Sequence, residues 1–86
     1  MKKNSYSKED IFVFVKESLL NCEWIFESDV ELKSRIYHDL ILDDCDFSDL
    51  VEDIQTEYQI YISEDTSDSW MTVEDIVDSV YSLLNE

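Results

Sequence analysis

The sequence predicts an all-α bundle of three longer helices and one short one, joined through a long first loop, and three observations lead there. Neither glycine nor proline occurs among its 86 residues. The chain therefore lacks the residue types on which tight hairpin turns and phosphate-cradling loops depend. Apolar residues recur at helical spacing in three separate stretches. Each stretch opens on the short hydroxyl or carboxylate side chains that start helices. With 44% hydrophobic residues, the chain has the means to build one modest core in a single domain spanning 1–86.

The first start signal is Ser7-Lys8-Glu9-Asp10, a capping box with Asp in the usual Glu place. Ile11, Val15, Leu19 and Cys22 follow on one stripe, with Phe12 and Phe14 widening it, which predicts a helix over 8–21. Residues 23–38 carry Trp24, Ile25, Phe26, Val30, Leu32 and Ile36 without clean periodicity. They predict a long, partly ordered loop pinned by buried apolar anchors. Asp46-Phe47-Ser48-Asp49 is the second start signal. Phe47, Leu50, Val51, Ile54 and Tyr58 then mark one face of a helix over 46–58. Asp43, Asp44, Asp46 and Asp49 crowd its first turn, where the helix dipole favours negative charge. Gln59–Ile62 alternates like a strand but has no second strand to pair with. Glu64–Ser69 has the length of one short helical turn. Thr72-Val73-Glu74-Asp75 is a further capping box, and Ile76, Val77, Val80, Tyr81 and Leu84 complete a helix over 73–84.

Charge is unevenly placed. The formal net charge is −16, and residues 36–86 hold fifteen of the acids and no Lys or Arg. Such a surface repels nucleic acid and anionic membrane and attracts a basic protein surface. Cys22 and Cys45 form no metal-binding or redox spacing and read as reduced thiols of a cytoplasmic protein. Met1-Lys2-Lys3 resembles the basic start of a signal peptide. The apolar run Ile11–Val15 that follows is too short for a signal peptide or a membrane span.

The layout resembles that of the acyl carrier proteins, and the residues carry the likeness beyond topology. The family motif reads roughly D-L-G-x-D-S-L-D, followed by a helix ending E-E-F, an I-x-I-P segment, an acidic short helix and T-V. Asp39-Leu40-Ile41-Leu42-Asp43-Asp44-Cys45-Asp46 falls on the first part. Leu50, Ile54, Glu57 and Tyr58 fall on the helix, and Ile60 and Ile62 on the I-x-I segment, with Ser63 at the proline position. Glu64, Asp65 and Asp68 match the acidic helix, and Thr72-Val73 the last start. The register needs no gap from about Val30 onward. Within the family, Tyr37-His38-Asp39-Leu40 and the Asp-rich turn are most similar to a divergent enterobacterial acyl-carrier-like group of unknown function.

Two departures shape what the resemblance implies. The serine that takes a phosphopantetheine arm is replaced by Asp44, which has no hydroxyl for it, so no cofactor is expected. Ser48 is one turn out of register. The resemblance places Cys45 at an inward-facing leucine position, as a small core residue. The family docks partners through acids and apolar residues of its second helix. Here the apolar contact positions are Ser48 and Glu52, while Asp49, Asp53 and Glu57 keep the acids.

Other chemistry is poorly supported. No acidic run has the glycine and closing glutamate of an EF-hand, so no metal site is expected. His38, the only histidine, has no nucleophile beside it and fits a surface or loop-capping role. Trp70 falls on an isoleucine position and reads as core; Trp24 is left open between core packing and a ligand cage. The expectation is a non-enzymatic, carrier-like adaptor or regulator. It would meet a basic protein through Asp43, Asp44, Asp46, Ser48, Asp49, Glu52, Asp53 and Glu57. Two alternatives remain: an acidic inhibitor (toxin immunity protein or nucleic-acid mimic), and an active carrier modified at an unusual residue.

Overall fold

The computed structural model describes residues 6–85. The Met1-Lys2-Lys3 segment that resembles a signal start lies outside them. Helix α1, Lys8–Leu19, begins on the expected capping box: the Asp10 N–H donates to Ser7 Oγ at 3.1 Å, and the Ser7 N–H donates to the Asp10 carboxylate at 3.3 Å. It ends two residues short of the expected 21. The N–H groups of Asn21 and Cys22 turn back to the Ser18 and Leu19 carbonyls in a tighter i to i−3 pattern. Cys22 therefore sits in the turn beyond the helix and not on its stripe.

Helix α2, Asp44–Tyr58, starts two residues earlier than expected. Its cap is Asp43, whose carboxylate accepts the Asp46 N–H at 2.8 Å. A cap satisfies the N–H three residues ahead, so Asp46 is the recipient of the start signal and not its origin. Phe47, Leu50, Ile54 and Tyr58 are buried, as their spacing predicts, and Val51 of the same stripe is half-buried. The helix ends at Gln59 in the left-handed conformation, φ 55. Ile60 and Ile62 then turn inward with Tyr61 outward, and no strand forms among the described residues. Helix α3, Glu64–Asp68, is a single turn capped by Ser63. Helix α4, Val73–Leu84, carries the expected box between Thr72 and Asp75 and buries Val73, Ile76, Val77 and Val80. The expected all-α bundle of three longer helices and one short one is thus the observed architecture.

The first loop is more ordered than its pattern indicates. A 3-10 turn occupies Glu27–Asp29. The following segment lies against the start of α4, where Val73 N–H donates to the Ser34 carbonyl and Glu74 N–H to the Leu32 carbonyl. With Asp75 N–H on Thr72 Oγ, the first three amides of α4 are all satisfied. Arg35 and Thr72 form an isolated antiparallel bridge. Of the six apolar anchors expected in the loop, Ile25, Val30 and Ile36 are buried, whereas Trp24, Phe26 and Leu32 are exposed. Backbone hydrogen bonds, together with the Trp24 indole N–H on the Leu40 carbonyl, do the holding that burial of those three side chains was expected to do.

The core joins Ile11, Val15 and Leu19 of α1 with Leu50 and Ile54 of α2 and Ile76 and Val80 of α4. Trp70 is buried as expected, and its indole N–H donates to Ser79 Oγ at 2.8 Å. No helix among the described residues is long and apolar enough to cross a membrane.

Candidate docking surface on the second helix

At 100° per residue, the buried stripe of α2 leaves two flanks in water. Asp46, Asp49, Asp53 and Glu57 lie on the flank that faces α1. Asp44, Ser48 and Glu52 lie on the flank that faces α3. Seven of the eight residues expected to meet a partner therefore form two neighbouring surfaces rather than one, and the eighth, Asp43, precedes the helix as its cap. All are exposed except Asp46, which is half-buried.

On the α1 side, Asp46, Asp49 and Asp53 border a cleft of about 430 Å³ shared with Asn21, Cys22 and Trp24. Farther along, Asp53 and Glu57 face Phe14 and Glu17 across a second depression. On the α3 side, Asp44, Ser48 and Glu52 share a groove with Tyr37, Tyr61, Glu64 and Asp68. Asp43 serves chiefly as the helix cap. Partial burial, then the adjacent Asp43 and Asp49 carboxylates, raise the Asp46 carboxyl above the usual carboxylate range. Burial followed by Asp46, Asp43 and Asp49 pushes the Cys22 thiol up as well. Tyr37 is raised by burial, then by Asp44 and Asp68. Each of these side chains registers the negative field around the start of α2.

Among the described residues, cations are few near this surface. Lys8 pairs with Asp78 at 3.1 Å, Lys16 with Glu27 at 3.3 Å and Arg35 with Asp39 at 3.4 Å. Among the described residues, no ion pair involves an acid of α2. Nor do three of His, Cys, Asp or Glu converge among them to hold a metal ion. His38 is exposed on the loop.

Two side chains depart from expectation. Cys45 is exposed and not inward-facing. Starting the helix at Asp44 points the residue after it to solvent, and Phe47 and Leu50 supply the core contacts instead. Trp24, expected as a buried anchor of the loop, is half-exposed with its indole N–H donating to the Leu40 carbonyl at 2.9 Å. Tyr61 escaped notice, although the Ile60-x-Ile62 alternation already marks it as the outward residue. The chain matches no family model and no curated protein.

Proposed function

We propose that this protein is a carrier-like adaptor or regulator without a prosthetic group, which acts by docking its second helix on a basic protein surface. The observation that carries the reading is the set of six acids on α2, from Asp44 to Glu57, none of them in an ion pair among the described residues. Surface charge left without internal partners steers encounter with an oppositely charged protein and sets its orientation. Asp44, at the position of the carrier serine, adds a fixed negative charge near where a carrier's phosphate would lie.

Ile41 supports the carrier register. It holds φ 55 where the family motif has glycine, and a β-branched residue in that conformation is an outlier. A backbone turn suited to glycine, kept without one, fits descent from a carrier-like turn.

Capture of partners from the native host, repeated with Asp49→Asn, Asp53→Asn and Glu57→Gln combined, tests the docking. Loss of recovery is expected, and unchanged recovery counts against it. Incubation with a phosphopantetheinyl transferase and coenzyme A, followed by intact mass, tests the missing arm. No mass gain is expected, and a gain equal to the arm makes the protein an active carrier. A second reading, an acidic inhibitor of a basic toxin or a nucleic-acid mimic, draws on the exposed acids Glu64, Asp65, Asp68 and Glu74 beyond α2. It is favoured instead if the captured partner is a nuclease or nucleic-acid-binding protein whose activity the chain blocks.

A further inference from the structure

We propose that the cleft between the turn after α1 and the α1-facing flank of α2 receives an arginine side chain from the docking partner, with the Trp24 indole as its stacking wall. The inference rests on the docking reading above and names the chemistry that one part of that surface recognises.

Trp24 is the starting point. It leaves 49% of its surface in water, yet its indole N–H is bonded to the Leu40 carbonyl at 2.9 Å. An exposed tryptophan on a loop is ordinarily free to change rotamer. This one is fixed at its polar edge, so a cation that stacks on its ring has less side-chain entropy to quench. Trp70 shows the contrast: its indole N–H is also satisfied, by Ser79, but its ring is buried.

The rest of the cleft selects for positive charge. Asp46, Asp49 and Asp53 border it, and none of its lining residues is cationic. Their spacing of three and then four residues puts the three carboxylates on one flank of α2. The lining also includes Leu42 and Leu50, both buried, apolar surface against which the methylenes of a long side chain can lie. A guanidinium combines a flat face for the indole with N–H donors at its edge for carboxylates. An ammonium satisfies the charge but not the stacking.

The test uses the full chain labelled with nitrogen-15 and titrated at low salt with hexa-arginine and, separately, hexalysine peptides. The Trp24 indole resonance and the amides of Asp46, Asp49 and Asp53 should shift with hexa-arginine while the Trp70 indole stays in place. Hexa-arginine should bind at least about threefold tighter than hexalysine, the scale of an exposed cation–π contact. Trp24→Ala should weaken hexa-arginine about three- to fivefold and leave hexalysine nearly unchanged. Asp46→Asn combined with Asp53→Asn, which spares the loop, should weaken both peptides and so serves if Trp24→Ala does not fold. Equal affinities, equal effects of Trp24→Ala on both peptides, unequal effects of the double substitution confined to hexalysine, or no binding at all would overturn the proposal. If Trp24→Ala leaves the affinity for hexa-arginine unchanged while the Asp49, Asp53 and Glu57 variant loses native-host capture, the arginine cleft fails and the docking reading stands.

Discussion

Ile41 and Gln59 both hold φ 55 in a chain without glycine. For an L-residue that conformation costs roughly 1–2 kcal/mol, and a β-branched side chain such as Ile41 is worse placed than Gln59. Ile41 is 66% exposed, so its side chain gains little from burial. Glycine there relieves the strain but adds roughly 0.5–1 kcal/mol of unfolded-state entropy. Ile41→Gly should therefore stabilise the protein by about 0.5–1 kcal/mol, read as a higher urea midpoint. At the start of α4, Thr72→Ala removes the oxygen that accepts the Asp75 N–H and should cost about 1 kcal/mol. The Asp75 carboxyl is held low, first by the Met71 N–H. Its contribution is fully present above the unfolded carboxylate range and is lost as pH falls through its depressed folded value. The Asp75→Asn deficit should accordingly be constant from neutral pH to about pH 5 and shrink under stronger acid. At this scale the sequence is legible where a side chain serves its own turn, as at Ser7 and Thr72. It is less so at Cys45, where the resemblance implied an inward-facing residue and the helix that begins at Asp44 leaves it exposed.

Among elements, α4 was the most legible, observed over the 73–84 expected of it, and the most consequential is α2. Its stripe at Phe47, Leu50, Ile54 and Tyr58 follows from spacing alone, because only one rotation buries all four. Which neighbour each flank of acids faces was not legible, since it depends on where α1 and α3 pack. Ile54 is fully buried, and Ile54→Ala should cost about 2–5 kcal/mol in chemical unfolding. Asp53→Asn, on the exposed flank, should leave stability unchanged within about 0.5 kcal/mol or raise it slightly. The pair separates the two faces of one helix: the first substitution lowers folding, the second lowers partner capture. The loop between α1 and α2 was the least legible element. Its order comes from carbonyls meeting the N–H groups of α4, and no side-chain periodicity records such bonds.

For the whole molecule, charge sets the balance. The ion pairs at Lys8, Lys16 and Arg35 are surface pairs, each worth about 0–1 kcal/mol. Self-repulsion from a net charge of −16 outweighs what they add. Raising salt from low ionic strength to about 0.15 M shortens the screening length to about 8 Å. The melting temperature should therefore rise with added salt, whereas partner association should slow. A melting temperature that falls with salt would mean that attraction, not repulsion, dominates this surface. The net charge was plain in the sequence, but the lack of ion pairs to the acids of α2 among the described residues became visible only in the fold.

The carbonyls of Leu32 and Ser34, bonded to the first amides of α4, make that helix and the first loop exchange hydrogens as one unit. The amides of Val73 and Glu74 are shielded only while the loop is in place, so their deuterium uptake times its detachment. In Thr72→Ala they should keep protection in step with each other, even as the Asp75 amide loses its own. A partner that grips Trp24 pulls on the same loop, and its binding should slow uptake at Val73 and Glu74 without touching either residue.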